Sequence, residues 1–250
     1  MRYFLRVEYD GTIFGGWQNQ PNVVSVQEVL EKALSVALRK QVQITGAGRT
    51  DAGVHATAQA VHFDFDDPID LNKVQLSLNA LLPREVAVYN LTCVDSSFHA
   101  RFSAVARQYK YYLCLRKKPL LLKRVWMVYG KVDWDLVRKN CTDLLGKHDF
   151  TSFRASGAGS DNAVCTVKKI SFDEVGECLV FTIEADRFIY KMVRTIVGTL
   201  IDIGRGRLSS TMAEIIASRD RSCAGSTAPP FGLVLDRVTY PKELIDETLL

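Results

Sequence analysis

The stretch SVQEVLEKALSVALR, residues 25–39, predicts the first helix and with it the class of fold. Ser25 and Glu28 form a capping box, in which the serine oxygen accepts the third helical N–H and the glutamate reaches back. Apolar residues then recur at helical spacing to the end of the stretch. Before it, Tyr3–Tyr9 alternates and is rich in β-forming residues, which is typical of a strand, and Asp10-Gly11 ends that strand as a turn.

The rest of the first half completes the order β-α-β-β-α-β. Its other expected elements are strands at Val42–Ala47, Thr57–Phe65 and Val86–Val94, and a helix capped by Asp70 and ended before Pro83. The second half repeats this order. Its expected elements are strands at Arg107–Leu115, Val167–Phe172, Cys178–Ala185 and Leu233–Tyr240, and helices from Asp133 to Gly146, at Phe188–Ile203 and after Thr211.

Two successive units of this order are typical of a ferredoxin-like pair, although many α+β proteins show the order by chance. We therefore expect an α+β protein whose halves, residues 1–105 and 106–250, share a mixed, mainly antiparallel sheet with a central cleft.

The composition is that of an ordinary globular protein, with 250 residues of which 47% are hydrophobic and 24% charged. A net charge of +4 neither demands nor excludes a nucleic-acid partner. The cysteines and histidines lack the close spacing of zinc sites and redox dithiols. Charge comes too early at the N-terminus for a signal peptide, and no apolar run has the length of a membrane span. We expect a soluble, cytoplasmic protein that does not bind a membrane.

Small residues surround two charges in the run GAGRTDAGVH, residues 46–55. The run lies between two predicted strands, so Arg49 and Asp51 are expected on a loop held by a rigid scaffold. A cation two residues away would hold the Asp51 carboxylate ionised, as a nucleophile or base requires. The alternative is a solvated turn in which Asp51 bonds its own backbone. A phosphate-binding P-loop is not supported, because Gly-Lys-Ser/Thr is missing.

Cations and aromatic residues alternate in the segment Phe98–Tyr112. On a strand, Arg107, Tyr109 and Tyr111 share one face. This pattern suits RNA, because cations contact phosphates while a ring stacks on an unpaired base. Taken alone, however, the segment is slightly more typical of a cross-strand aromatic ladder in a half-buried sheet.

Arg194 lies inside an otherwise apolar helical segment. A buried arginine is costly unless it is paired, so Arg194 needs a carboxylate or a phosphate. Asp51 is a natural candidate for that partner.

Together these residues resemble the bacterial tRNA pseudouridine synthase A family over nearly the whole chain. The motifs that carry the resemblance are Glu8–Gly11, Gly16–Gln18, Ser25–Gln27, Gly48–His55, Phe98–Ala104, Arg107–Tyr111, Phe150–Arg154, Met192–Arg194 and Thr227–Pro229 with Gly232-Leu233. The resemblance implies the pseudouridine synthase fold, isomerisation of uridines 38, 39 and 40 of the tRNA anticodon stem-loop, a homodimer and no cofactor. By position it implies that Asp51 is the catalytic aspartate, Tyr109 the stacking tyrosine, Arg194 the cation beside the carboxylate and Arg49 an arginine that helps to hold the extruded nucleotide.

The chain departs from the family pattern at Cys165, where an arginine is expected, and at Tyr190-Lys191, where some members carry histidines. Both departures are expected to affect the grip on tRNA more than the chemistry.

Two rival functions remain at this stage. One is a non-catalytic single-stranded RNA module of two RRM-like folds, with Tyr109 and Tyr111 as its stacking platform, although the usual RNP1 signature is absent. The other is a metal-dependent nuclease that uses Asp64, Asp66 and Asp67. The pattern of these residues is more typical of a solvated strand end.

Overall fold

The computed structural model describes residues 1–155 and 162–245, and its first helix begins directly after Ser25. The first part of the chain forms β1 (Arg2–Tyr9), α1 (Val26–Leu38), β2 (Thr45–Gly46), β3 (His55–Asp64), α2 (Leu71–Leu81) and β4 (Val86–Val94). The remainder forms β5 (Ala106–Cys114), β6 (Trp126–Met127), α3 (Trp134–Cys141), β7 (Gly146–Asp149), β8 (Val164–Val175), β9 (Cys178–Ala185), α4 (Met192–Gly204), α5 (Met212–Ser218) and β10 (Leu233–Thr239). The expected α+β class is confirmed.

The first half has the pairing pattern of a ferredoxin-like unit. Strand β1 pairs antiparallel with both β3 and β4, and β2 pairs antiparallel with β3. The two helices start where their caps predict, because Ser25 accepts the Glu28 N–H at 3.1 Å and Asp70 accepts the Lys73 N–H at 3.0 Å. The strand expected at Val42–Ala47 is reduced to the two residues of β2.

The chain separates into two compact units, and the last strand belongs to the first of them. One unit comprises Met1–Val105 and the residues from Val234 onward, and the other comprises Ala106–Leu233. The sequence pattern predicts instead that residues 106–250 form one half. The difference arises because β10 pairs in parallel with β3, opposite His55 and Ala56.

In the second unit, β5 pairs antiparallel with β9, β9 with β8, and β8 with β7. Strand β7 was not predicted. Gly146, which was expected to end a helix, has a φ of +98° and begins β7, while α3 already ends at Cys141. Helix α4 begins at Met192 and not at Phe188, because Lys191 adopts a left-handed conformation with a φ of +60°.

Each unit has its own core of large buried side chains. The fully buried aromatic residues are Tyr3, Phe4, Phe63 and Phe98 in the first unit and Tyr111, Phe150, Phe153 and Phe181 in the second. Across residues 1–155 and 162–245, no helix combines the length and the apolar character needed to span a bilayer.

The buried imidazole of His62 makes the stability of the first unit depend on pH. Its side chain is 5% exposed, and its Nδ1 accepts the Ala100 N–H at 3.1 Å. Desolvation by burial, helped by the positive charge of Arg2, lowers the pKa of His62 to about 4. The ring is therefore neutral in the folded protein at neutral pH.

We expect the free energy of unfolding to fall by roughly 2 kcal/mol between pH 7.5 and pH 5 on account of His62. Stabilisation by the neutral ring is complete above the unfolded-state pKa of 6.5 and is lost as the pH falls toward the folded-state value of about 4. The variant His62→Asn, whose amide oxygen accepts a hydrogen bond but does not titrate, should show a shallower pH dependence in urea titrations. Equal pH slopes for the two proteins would contradict this explanation.

Candidate active site

Arg49 and Asp51 lie on the loop between β2 and β3. Thr50 between them points inward and is 7% exposed, whereas Arg49 is exposed and Asp51 is half-buried. The loop thus presents a guanidinium and a carboxylate from a backbone that is anchored between them.

Two hydrogen bonds from β3 hold the first part of this loop. The Ala47 N–H donates to the Ala60 carbonyl at 2.8 Å, and Nε2 of Gln59 donates to the Gly48 carbonyl at 2.8 Å. Gln59 is fully buried, so its side-chain amide bonds the loop from the core side. These contacts fix the backbone immediately before Arg49.

Thr50 is held by two further contacts from the end of β1 and the segment after it. Its Oγ1 lies 2.7 Å from the hydroxyl of buried Tyr9, and its carbonyl accepts the Trp17 N–H at 3.1 Å. Gly16 has a φ of +103°, and a Cβ there would stand 2.7 Å from the Thr50 carbonyl oxygen. Glycine is therefore needed at position 16 for the chain to approach the loop so closely.

The second part of the loop is a tight turn that leads into β3. The Asp51 carbonyl accepts the Val54 N–H at 3.1 Å, and Gly53 has a φ of +78°. Directly afterwards, buried His55 accepts the Gly11 N–H at its Nδ1, at 3.0 Å. The backbone is consequently tied to its surroundings on both sides of Asp51, and such preorganisation is what a reacting carboxylate needs.

Tyr109 and Tyr111 share a strand face but have different surroundings. Tyr111 is fully buried, and its hydroxyl donates to the Pro229 carbonyl at 2.7 Å. Burial raises the pKa of Tyr111 strongly. Tyr109 is half-buried, and its ring meets that of Phe188 edge-on, with centroids 5.1 Å apart. Tyr111 is thus a core residue, which makes the two-tyrosine stacking platform of the RNA-module hypothesis wrong.

Arg194 is half-buried in a helix whose other residues from Met192 to Gly204 are all buried. Its Nε donates to the Ala228 carbonyl at 2.8 Å, and its own carbonyl accepts the Ala228 N–H at 3.0 Å. These bonds dock the segment around Ala228 onto α4. A pairing of Arg194 with Asp51 stays a prediction, since the two residues belong to different units.

Of the four residues singled out from the sequence, two share one loop and two belong to the other unit. The supporting residues Tyr9, Thr50 and Gln59 were missed. Local spacing gives no signal for them, because the hydroxyl pair joins residues 41 positions apart. The antiparallel pairing of β1 with β3 brings the end of β1 close to the loop that precedes β3.

Two of the three carboxylates of the nuclease hypothesis are paired with cations. Asp64 accepts two bonds of 2.8 Å from the Arg2 guanidinium, which lowers the pKa of that carboxyl, and Asp66 pairs with Lys40. Within the described part of the chain, no three His, Cys, Asp or Glu side chains gather as a metal site requires. The nuclease hypothesis therefore finds no support.

The two departures from the family pattern occupy different environments. Cys165 is fully buried in β8, and burial raises the pKa of its thiol to about 11. Tyr190 is 43% exposed, with the Lys191 ammonium 4.9 Å from its ring centre. Cys165 is therefore a core residue, while Tyr190 and Lys191 form a surface cation–π pair.

Comparison with known proteins gives matches along most of the chain. A family model described as tRNA pseudouridine synthase matches residues 6–103 and 141–241. The tRNA pseudouridine synthase A of Parabacteroides distasonis is 43% identical over 97% of this chain and 97% of its own. The protein of the same name from Bacteroides fragilis is 42% identical over 98% of both chains, and that from Shewanella denitrificans 44% identical over 97% of this chain and 94% of its own.

We expect the Tyr9–Thr50 hydroxyl contact to stabilise the loop measurably. Thr50→Val and Tyr9→Phe should each lower the free energy of unfolding by about 1–3 kcal/mol. Each variant removes one of the two hydroxyls, and the remaining buried hydroxyl loses this hydrogen bond. In a double-mutant cycle the two losses should fall short of additivity. Thr50→Ser keeps the hydroxyl and should lose less than Thr50→Val. Additive losses in urea unfolding would show that the contact contributes nothing.

Proposed function

We propose that this chain, which belongs to the tRNA pseudouridine synthase family, isomerises uridines 38, 39 and 40 of the tRNA anticodon stem-loop with Asp51 as its catalytic carboxylate. The family itself, and with it an isomerase that makes pseudouridine in tRNA, follows from the family model and the relatives above 40% identity. The observation that carries the finer proposal is the anchored loop, which presents a half-buried Asp51 next to an exposed Arg49.

The reaction suits a single carboxylate. The N1–C1′ bond breaks, the uracil turns, C5 bonds to C1′, and the C5 proton is lost while N1 gains one, so there is no net redox change. The Asp51 carboxylate either attacks C1′ or supports an elimination that gives a glycal. Both routes need its position fixed, and the bonds to Gly48, Thr50 and Asp51 backbone carbonyls supply that.

Extrusion of the uridine requires compensating contacts. Taking a nucleotide out of the helix costs a few kcal/mol. Tyr109 stacks on the extruded base in this proposal, and its edge-on contact with Phe188 supports a fixed ring orientation. Arg49 contacts the extruded nucleotide and its flank, and Arg194 serves as the cation beside the carboxylate. The proposed enzyme is a cytoplasmic homodimer and needs no cofactor.

The deciding experiment uses tRNA labelled with tritium at uridine C5, without added metal or nucleotide. The wild-type protein should release tritium, and Asp51→Ala should lower the rate by more than about a thousandfold, as expected for loss of a nucleophile. Asp67→Asn, which removes an exposed carboxylate of the nuclease hypothesis, is the matched control and should retain full activity. Tight binding of tRNA without tritium release by the wild type would favour an RNA-binding module instead.

Tyr109→Phe separates stacking from proton transfer. The variant keeps the ring, so tRNA affinity should stay within about twofold, while turnover should fall by roughly a hundredfold if the hydroxyl moves a proton. Single-turnover rates and filter binding measure the two effects separately. Tyr129→Phe, which alters an exposed tyrosine, serves as the control. Unchanged turnover of Tyr109→Phe would exclude the proton-transfer role.

A further inference from the structure

Phe102 carries the most exposed aromatic ring among residues 1–155 and 162–245, with 77% of its surface open to solvent. It lies in the connection between β4 and β5, and none of the roles proposed above uses it. An exposed ring that is already fixed in position can bind a flat partner with little loss of conformational entropy. The contacts around Phe102 therefore indicate what it binds.

The short segment that carries Phe102 is tightly held. The His99 N–H donates to Oγ of Ser103, and the Ser103 N–H donates to the His99 carbonyl, both at 2.9 Å. In addition, Nδ1 of His99 accepts the N–H groups of Arg101 and Phe102 at 3.1 and 3.3 Å. The backbone under the ring is thus closed into a turn by four hydrogen bonds.

Behind Phe102 the rings form a stack that leads into the core. The Phe102 and His99 centroids are 4.4 Å apart at a tilt of 35°, and the His99 and His62 centroids are 4.8 Å apart. Burial and the nearby Arg2 charge lower the pKa of His99. His62 in turn is anchored by the Ala100 N–H. The exposed ring is therefore buttressed by neutral imidazoles rather than by a flexible side chain.

Arg101 places a cation beside the Phe102 ring. The Arg101 guanidinium carbon lies 5.7 Å from the Phe102 ring centre, and residues 96–108 contain no aspartate or glutamate. A cation beside an aromatic ring suits a nucleotide, because the ring stacks on the base while the cation attracts the phosphate.

We infer that Phe102 is a stacking platform for an unpaired base of the tRNA substrate, other than the uridine that reacts. The inference rests on the proposed function for its substrate. Each aromatic ring that stacks on a base in single-stranded recognition contributes substantially to affinity, and a preformed ring contributes without an ordering cost. Arg101 adds attraction for the phosphate of the same nucleotide.

The test compares tRNA dissociation constants of full-length variants at one fixed salt concentration. Phe102→Ala should weaken binding by about 5- to 150-fold, the range for loss of one stacked base. Phe102→Trp should bind within about threefold of the wild type, whereas Phe102→Leu, which is apolar but has no π face, should be weakened nearly as much as Phe102→Ala. Leu76→Ala removes an apolar side chain that is 73% exposed on α2 and should leave binding unchanged.

Two outcomes would overturn the inference. One is an unchanged dissociation constant for Phe102→Ala, or full affinity in Phe102→Leu. The other is a change in sedimentation without a change in tRNA affinity, which would assign the ring to a contact between copies. Tritium release by the wild type, measured on the same preparations, distinguishes failure of the Phe102 inference from failure of the proposed function. If the wild type releases tritium while Phe102→Ala binds normally, only the stacking platform is lost.

Discussion

The candidate site depends on the hydrogen bonds that the backbone carbonyls of the loop between β2 and β3 accept. A loop that turns charged groups outward exposes its own backbone, and unpaired carbonyls would allow it to rearrange. Here the carbonyls of Gly48, Thr50 and Asp51 each accept a donor, and the Tyr9 hydroxyl meets Thr50 within the core. Because these bonds join the loop to the folded first unit, the backbone at Asp51 keeps a fixed position as long as that unit is folded.

Elements with local signals were predictable from the sequence. The caps at Ser25, Asp70 and Thr211 mark helix starts that the structure confirms, because a cap joins residues three positions apart. Strand β7 and the start of α4 were not predictable. Strand β7 depends on the pairing of Gly146 with Val167, which local spacing does not encode, and the start of α4 depends on the left-handed conformation of Lys191.

The site was predictable in part. The density of glycine around Arg49 and Asp51 indicates a loop with sharp backbone turns, although the local sequence alone is equally compatible with a plain turn. The alternation of residues along β5 does not predict that Tyr111 is buried while Tyr109 is half-buried, because it assigns both tyrosines to the same face. The difference comes from a distant segment, where Gly232 lets the chain approach the Tyr111 ring so closely that a Cβ would stand 2.7 Å from it.

The membership of β10 in the first unit has a consequence for synthesis on the ribosome. Translation is vectorial, and the start of β3 lacks its parallel neighbour until the residues after Val234 have emerged. The same late segment supplies the Val238 carbonyl that accepts a 3.0 Å bond from buried Arg6, and the Tyr240 hydroxyl that donates to Ala100 at 2.6 Å. The nascent chain therefore completes the sheet beside the loop between β2 and β3 only after the residues from Val234 onward have been made, so that a product terminated before them lacks a finished scaffold for that loop.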